Sequence, residues 1–227
     1  AAIYEAAFDS VAESNLGYKP KYIASTATIR NSADQCKRLY SRESRIFPSP
    51  GLNNDDSYFS RLDSSTSRAR LYHGLMGQGI KPTVASYKII AAMLQAINEI
   101  DLSDEEKDAY WTLIAYHNSL RELARTVTAY GDEVQDQIKV YASLEDKRRE
   151  LQRKPYEICA DAVKSISDAR SALAERHNPP DSQGYEFVPC TNMISVGIDI
   201  PRLSYMFVGG QPRLSSEYIQ STSRIGR

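Results

Sequence analysis

The chain has 227 residues, of which 41% are hydrophobic and 25% charged, and its formal net charge is -1 at pH 7. These values are those of an ordinary globular protein, and they exclude a bulk polycation, so a nucleic-acid-binding surface would have to be a local patch. Because no apolar run reaches the length of about 18 residues that a membrane span needs, and no basic and then apolar leader opens the chain, we expect a cytoplasmic protein without a membrane partner.

The cysteines predict no metal site. Cys36, Cys159 and Cys190 are isolated and lack the spacing of metal ligands, so we expect reduced thiols. The sequence also holds neither a G-x-x-x-x-G-K-[ST] phosphate loop nor a D-E-x-[DH] acidic box. Since the chain starts within what reads as an α/β unit and stops on Arg227, we expect it to be part of something longer.

The first 45 residues predict a helix, a short strand and a second helix. Apolar residues near helical spacing predict the first helix over residues 1–15, and Gly17 is its stop signal. Residues 22–24 read as a strand that ends in S-T-A-T at 25–28, whose hydroxyls alone could simply cap backbone amides. Residues 31–40 predict the second helix, capped near Asn31 or Ser32.

A domain boundary follows. The run F-P-S-P-G at 47–51 cannot continue a helix, so we place the boundary around residues 42–57. Residues 58–59 and 70–75 read as strand material at the start of the second domain. Apolar positions three and four apart over 82–100 predict an amphipathic helix packed on a sheet.

The middle of the chain predicts a strand, a polar turn and a helix. Residues 111–116 are an apolar run of strand length, reached through a capping box formed by Ser103 and Glu106. His117 stands at the end of this strand, where a single histidine with no carboxylate or cysteine beside it is expected to be structural.

The polar turn after His117 is a candidate anion site. A helix that starts after a strand and a turn presents backbone N–H groups to phosphates. Ser119 is the candidate contact, with Asn118 and Arg121 as neighbours. A plain N-cap serine remains an equal alternative.

Residues 126–180 predict a helical insertion. The basic run K-R-R-E-L-Q-R-K at 147–154 favours a solvated helix face, with a nucleic-acid contact as the alternative. A loop with prolines and a glycine follows at 177–184.

The last forty or so residues carry the strongest signals. Apolar residues in 193–200 and 205–208 predict buried parallel strands, and Gly197 suits a close backbone approach. Ser215 or Ser216 would cap a helix that carries Gln220, Arg224 and Arg227. On a helix the two arginines share a face, which favours an anion such as a phosphate between them.

These stretches resemble superfamily 2 helicases. T-N-M-I-S-V-G-I-D at 191–199 resembles motif V, and Q-S-T-S-R-I-G-R at 220–227 resembles motif VI, with Ser223 where glycine is commoner. With S-T-A-T-I at 25–29, F-P-S-P-G at 47–51 and W-T-L-I-A-Y-H-N-S-L-R-E-L at 111–123, the chain resembles the DISARM-type anti-phage helicase subunits. The resemblance covers both ends and the middle but not residues 126–185.

The resemblance implies a fold and a set of domains. The fold is α/β, a RecA-like parallel sheet flanked by helices, with the helical insertion at about 126–180. Residues 1–45 would end a first RecA-like domain, and residues 46–227 would form the second. ATP would lie in the cleft between the two domains, with Mg²⁺ held mainly by the part of the first domain that this chain lacks.

Roles for single residues follow from the same resemblance. In motif VI, Arg227 would be the arginine finger, Arg224 its partner on the γ-phosphate, and Gln220 would orient the arginines or the attacking water. In motif V, Asp199 would bind the ribose and Gly197 would give the backbone room. The nucleic-acid contacts would be Ser119, Asn118, Arg121, Thr191 and Asn192, and the coupling residues of motif III would be Thr26, Ala27 and Thr28. The Thr-Ser-Arg segment by which the family contacts the strand is absent from residues 126–185.

The sequence therefore predicts an ATP-dependent nucleic-acid helicase or translocase, with DNA favoured over RNA and with other defence subunits as partners. This chain by itself is expected to be inactive. One alternative is a catalytically silent, nucleotide-dependent scaffold that binds partners or DNA. Another is an α/β binding domain unrelated to helicases.

Overall fold

The computed structural model describes residues 2–26, 31–49, 51–53, 58–59, 61, 63, 65, 70–151, 154–162, 165–178, 184–195 and 198–226. The chain divides into two compact units, residues 1–71 and 72–227. This division falls later than the boundary expected around 42–57, and the assignment of residues 1–45 to a preceding RecA-like domain stays a prediction.

The first unit contains α1 (Ala2–Leu16) and α2 (Ser32–Tyr40). Arg42, just after α2, forms an ion pair with Asp9 of α1. The hydroxyl of Tyr22 donates to Asp9 Oδ1 at 3.0 Å, and the Tyr22 ring lies 4.9 Å from the Arg42 guanidinium carbon. These side chains hold the two helices together.

Two expectations for the first unit have different outcomes. Both helices are confirmed, and Gly17 follows α1 in the left-handed region with φ 72°. The strand expected at 22–24 is wrong, because this segment is irregular and exposed and no described residue pairs with it as a strand. Of the coupling residues, Thr26 is exposed, whereas Ala27 and Thr28 lie outside the described residues.

The described part of the second unit contains helices and three parallel strands. Its helices are α3 (Pro82–Glu99), α4 (Asp104–Trp111), α5 (Leu120–Ala129), α6 (Gln135–Tyr141), α7 (Ile166–Ala174) and α8 (Ser215–Thr222). Its strands are β1 (Leu113–His117), β2 (Phe187–Cys190) and β3 (Tyr205–Gly209). A π-helical turn, Tyr130–Val134, joins α5 to α6, and 3₁₀ turns occur at Glu145–Lys147 and Asn192–Ser195.

The strands form a parallel sheet in the order β2-β1-β3. In its register, Ile114 pairs with Val188 on one side and with Met206 on the other. All five residues of β1 are buried, as expected for the central strand of a parallel sheet that is covered on both faces.

Two hydrophobic clusters cover the two faces of this sheet. Alternate residues of a strand point to opposite faces, and Ile114 and Tyr116 belong to one cluster while Leu113 and Ala115 belong to the other. The first cluster is completed by α7, the segment from 193 to 203 and Ile225; the second is completed by α3, the π-helical turn and α6. The expected fold class, an α/β parallel sheet flanked by helices, is confirmed.

Local signals locate α3 and α4 well. In α3 the buried residues include Ile90, Leu94 and Ile97, at the predicted helical spacing. At the start of α4, Ser103 and Glu106 form the predicted capping box. The strand expected from residue 111 begins at Leu113 because Trp111 still belongs to α4.

Three stretches expected as strands in the second domain are not strands. Residues 70–75 are irregular and exposed, with Leu75 at 68% exposure, and residues 58–59, which fall in the first unit, form a bend. The described residues of 193–200 are not a strand either: Ile194, Ile198 and Ile200 are buried in the cluster that covers the sheet. The apolar pattern there comes from a segment that packs against the sheet, and the strand itself lies upstream at Phe187–Cys190.

Candidate functional site

Polar residues collect at the carboxyl edge of the sheet. β1 ends at His117, which is opposite Gly209 of β3, and Tyr116 is opposite Cys190 at the end of β2. Asn118 and Ser119 therefore follow β1 at the same edge where Thr191 and Asn192 follow β2. In open α/β sheets, ligands bind in the crevice outside this edge.

Asn118 joins the ends of two strands. Its side-chain Nδ2 donates to the carbonyl oxygens of Gly209, at 3.3 Å, and Gly210, at 2.9 Å. Gly210 has φ 85°, and a Cβ on it would lie 3.2 Å from Asn118 Nδ2. The side chain of Asn118 thus positions the turn after β3, and any nucleic-acid contact by it remains a prediction.

Ser119 is the N-cap of α5. Its Oγ accepts a hydrogen bond from the backbone N–H of Glu122 at 3.3 Å, which satisfies one of the amides that a helix start leaves unpaired. The side chain of Arg121 is exposed in the first turn of the same helix. The structure therefore supports the N-cap role of Ser119, and the phosphate role is untested.

Thr191 and Asn192 differ in exposure. Thr191 is 9% exposed, and its backbone N–H donates to the carbonyl of Ile158 at 3.1 Å. Asn192 has an exposed side chain, while its carbonyl accepts from Ser195 Oγ at 2.6 Å. Of the two candidates, Asn192 is the better placed to reach a ligand outside the sheet.

Arg224 connects the two segments that resemble motifs V and VI. Its Nη2 donates to the carbonyl of Ser195 at 2.6 Å. Its Nε is buried without a hydrogen-bond partner among the described residues. Guanidinium groups are common ligands of anions such as phosphates, and this half-buried one, held between two turns, keeps an unsatisfied N–H.

The expected helical geometry of motif VI is wrong. α8 ends at Thr222, and Arg224 lies in the turn that follows, so the argument that Arg224 shares a helix face with Arg227 does not hold. Gln220 is half-buried in α8. Arg227 lies outside the described residues.

The segment resembling motif V is described only in part. Asp199 is exposed, at a position where its carboxylate could reach a ligand. Gly197 lies outside the described residues, so the expectation of a close backbone approach there stays a prediction.

Neither of the serines expected to cap α8, Ser215 or Ser216, is its N-cap. Leu214 is the N-cap residue, and Ser215 is already the first residue of the helix. The helix is instead fixed to β1 by a hydrogen bond from the buried Tyr116 hydroxyl to Glu217 Oε1, at 2.7 Å. Burial, and the bond to Glu217, raise the pKa of Tyr116 well above its usual value.

His117 is structural, as expected. Its side chain is buried, and burial lowers its pKa to about 4. A Cβ on Gly209 would come within 3.1 Å of His117 Nδ1, so the ring is packed closely against the end of β3. Burial thus favours the neutral imidazole, and the enclosed ring packs against the sheet edge.

Sequence reasoning missed the buried Arg149. It was expected on a solvated face, but it is 2% exposed and donates to the carbonyls of Leu94, at 3.0 Å, and Trp111, at 2.9 Å. Its guanidinium carbon lies 3.9 Å from the centre of the Trp111 ring. Because both acceptors are remote in sequence, no local pattern could have distinguished Arg149 from its exposed neighbours.

Arg202 was also missed as an individual residue. It follows the motif V segment, and its side chain is 8% exposed. It donates to Leu173, Asp108 and Thr112. A Pro-Arg pair in a turn gives no sequence signal of such partners.

Among the described residues, no group of histidine, cysteine, aspartate and glutamate side chains could hold a metal ion. In the same part of the chain, no helix is long and apolar enough to span a membrane. The donors at the carboxyl edge are amides, hydroxyls and guanidinium groups. This set can bind phosphates, and it offers no cluster of carboxylates for Mg²⁺.

Comparisons with known proteins agree with the motifs. Residues 122–227 match the family described as helicase conserved C-terminal domain. The chain is also 36% identical over 239 residues to the DISARM protein DrmA of Bacillus paralicheniformis. That match covers 99% of this chain and 21% of the relative, so the chain spans about a fifth of the length of the curated relative.

Proposed function

We propose that the chain supplies one wall of an ATP cleft and part of a nucleic-acid groove in a longer helicase or translocase, because residues 122–227 match the family described as helicase conserved C-terminal domain. The resemblance to DISARM-type subunits is borne out by the 36% identity to a DISARM protein. The activity and the partners of the whole protein are part of the proposal.

The bond from Arg224 Nη2 to the carbonyl of Ser195, at 2.6 Å, is the observation that carries the proposal. It joins the segment that resembles motif V to the segment that resembles motif VI. A shared nucleotide site requires these two segments to be adjacent. The buried, unsatisfied Nε of the same arginine supports a role for Arg224 toward an anion at this position.

In the proposed site, the chain's own residues bind and orient the nucleotide. Arg227 is the arginine finger, Arg224 binds the γ-phosphate, and Gln220 orients these arginines or the attacking water. Asp199 accepts hydrogen bonds from the ribose, beside Gly197. When bound, ATP would supply the phosphoryl group, and Mg²⁺ would neutralise the charge of its phosphates. The ligands of Mg²⁺ would lie chiefly on the preceding domain.

The nucleic-acid side of the proposal uses the carboxyl edge of the sheet. Asn192 and Arg121, which are exposed, contact phosphates directly, and Ser119 and Thr191 contribute backbone or hydroxyl groups. Asn118 holds the turn beside them. Such contacts fix the position of the nucleic-acid strand without reading its sequence. In the same proposal, Thr26, Ala27 and Thr28 couple the nucleic-acid groove to the nucleotide.

The biological setting that we propose is anti-phage defence. The similarity over 99% of the chain to a protein named for the DISARM system supports it. The nucleic acid would then be invading DNA, and the partners would be other subunits of the same system. Loss of phage restriction in a strain that carries the Arg227→Ala variant, with the system otherwise intact, is the expected result.

The experiment that tests the enzymatic proposal measures ATP hydrolysis by the full-length protein, with and without single- or double-stranded DNA. Arg227→Ala and Arg224→Ala are compared with the wild type, and Arg170→Ala is the control because Arg170 is an exposed arginine of α7. Loss of an arginine finger costs on the order of 10³ to 10⁵ in rate. We expect a loss of that size for Arg227→Ala and wild-type turnover for Arg170→Ala.

Other outcomes favour other functions. Bound ATP without hydrolysis in the wild type would favour the catalytically silent scaffold. DNA-stimulated hydrolysis that survives Arg227→Ala would keep the motor and refute the assignment of the finger. Absence of nucleotide binding would favour an α/β binding domain without a motor.

A further inference from the structure

The turn that follows the motif V segment is clamped by one arginine. Residues 200–203 form a turn in which the backbone N–H of Leu203 donates to the carbonyl of Ile200 at 3.2 Å. Pro201 and Arg202 are its two central residues, and proline favours the first of these positions. The Arg202 side chain leaves the turn toward the protein interior and is 8% exposed.

Each nitrogen of the Arg202 guanidinium has an acceptor on a different part of the fold. Nε donates to the carbonyl of Leu173 in α7 at 3.0 Å. Nη1 donates to Asp108 of α4, at 3.1 Å to the carbonyl and 3.2 Å to Oδ1. Nη2 donates to Thr112 Oγ1, just before β1, at 2.9 Å. A planar guanidinium can satisfy acceptors in several directions at once, which a lysine ammonium cannot do with the same geometry.

The acceptors of Arg202 are themselves fixed. Asp108 Oδ1 also accepts from the backbone N–H of His177 at 2.7 Å, and Thr112 Oγ1 donates to the carbonyl of Tyr185 at 2.7 Å. Asp108 is 8% exposed, so its carboxylate and the guanidinium meet largely out of water. A guanidinium and a carboxylate that meet in such a place form charge-assisted hydrogen bonds, which are stronger than those between neutral groups.

The turn held in this way supports the end of the motif VI segment. The carbonyl of Leu203 accepts a hydrogen bond from the backbone N–H of Gly226 at 2.8 Å. Ile225 is buried in the same cluster as Ile198, Ile200 and Leu203. Gly226 has φ 68°, a conformation that glycine adopts without strain, and Arg227 follows it directly in the sequence.

We infer that Arg202 is a positioning residue that fixes the turn at 200–203 and, through the carbonyl of Leu203, holds Gly226 and the arginine that follows it in place. It acts through backbone, since its own guanidinium donates to Leu173, Asp108 and Thr112. Through Leu173 it also links α7, in the insertion, to the segment proposed to bind ATP. The inference about catalysis rests on the proposed function, whereas the inference about the position of Gly226 does not.

The direct test is hydrogen exchange of backbone amides in the full-length protein, read from peptides that cover residues 220–227. Arg202→Gln removes the charge and most of the donors. Arg176→Gln is the matched control, because Arg176 Nε lies 3.9 Å from Asp108 Oδ2 but its side chain is 76% exposed. We expect exchange at Gly226 to rise by about tenfold or more in Arg202→Gln and to stay at the wild-type rate in Arg176→Gln.

The Arg202→Lys variant keeps the inference testable if Arg202→Gln fails to fold. It retains the charge next to Asp108 and loses the three-way donor geometry, so exchange at Gly226 should rise by a smaller factor than in Arg202→Gln. Protection of Gly226 that is unchanged in a folded Arg202→Lys or Arg202→Gln protein would overturn the inference. A uniform rise in exchange across all peptides, reflecting only lower stability, would overturn it as well.

A second readout separates positioning from mere stability. A displacement of about 1 Å at a catalytic group costs on the order of 10²-fold in rate, so kcat for ATP hydrolysis should fall by about that factor in Arg202→Gln, with KM changed less.

Because Arg202 acts through the arginine that follows Gly226, the double variant Arg202→Gln, Arg227→Ala should lose no more hydrolysis rate than Arg227→Ala alone. Additive losses would overturn the catalytic half of the inference. If Arg227→Ala itself leaves hydrolysis intact, the proposed finger fails, and the exchange result at Gly226 still decides the role of Arg202.

Discussion

The hydroxyl of Tyr116 donates to Glu217 Oε1 at 2.7 Å and so ties the central strand β1 to the first turn of α8. Tyr116 has no exposed surface, and its partner is 101 residues further along the chain. This bond fixes α8, and with it Gln220, relative to the carboxyl edge of the sheet. It is one of the connections by which the core sets the position of the proposed nucleotide contacts, beside the bond between Gly226 and Leu203.

Tyr116→Phe should destabilise the chain by about 1 to 3 kcal/mol, because it leaves an acceptor on Glu217 without its donor. Urea denaturation followed by circular dichroism measures the change. Tyr110→Phe is the matched control, since Tyr110 is 40% exposed and should shift the midpoint little. Equal midpoints for the two variants would show that the Tyr116 hydroxyl contributes no stability.

His117 should make stability depend on pH between about 6.5 and 4. Burial lowers its pKa to about 4, so the folded state favours the neutral ring and the unfolded state takes up a proton first. The contribution is therefore complete above the unfolded value of about 6.5 and is lost as the pH falls toward 4, by on the order of 3 kcal/mol. Between pH 7.5 and 5, the free energy of unfolding should fall less steeply with decreasing pH for His117→Asn than for the wild type. Urea denaturation at each pH measures it, and the same pH dependence in both proteins would contradict the buried neutral histidine.

Arg149 should be far more important to stability than its neighbour Arg148. Arg149→Met removes the donors to the carbonyls of Leu94 and Trp111 and a buried cation that interacts with Glu186, which should cost about 3 to 5 kcal/mol. Arg148 instead pairs with Glu145 and Glu150, whose side chains are 81% and 69% exposed, so Arg148→Met should cost no more than about 1 kcal/mol. Thermal unfolding of the two variants measures the difference, and similar losses would refute the buried role of Arg149.

The sequence predicted those parts of the fold that depend on local signals. The spacing of Ile90, Leu94 and Ile97 and the capping box of Ser103 and Glu106 are local, and the structure has both. The short run at Tyr205–Gly209 is a strand as expected. At 193–200 the same kind of apolar pattern failed, because residues that cover a sheet and residues that lie within it are both buried and both apolar.

The candidate site was predictable only as a set of motifs. Their order placed Asn118 and Ser119 after a strand but Thr191 and Asn192 before one, and it is the register of the sheet that brings all four residues to one edge. The contact between Arg224 and Ser195 spans 29 residues, and that between Arg202 and Asp108 spans 94. Neither is encoded in any local pattern, so the residues that hold the site together could be identified only from the fold.

The last prediction concerns binding of the full-length protein to single-stranded DNA. Contacts to phosphates release counterions, so affinity should fall linearly on a plot of log K against log salt, with little dependence on sequence. Arg121 is exposed in the first turn of α5, beside Asn118 and Ser119. Each phosphate contact contributes about 0.7 to the slope for a single strand, so Arg121→Ala should lower the slope by about that amount. Arg125→Ala is the control, because Arg125 is exposed one turn further along the same helix and so further from the carboxyl edge. A wild-type slope for Arg121→Ala, or an equal drop for Arg125→Ala, would place the phosphate contact somewhere other than the start of α5.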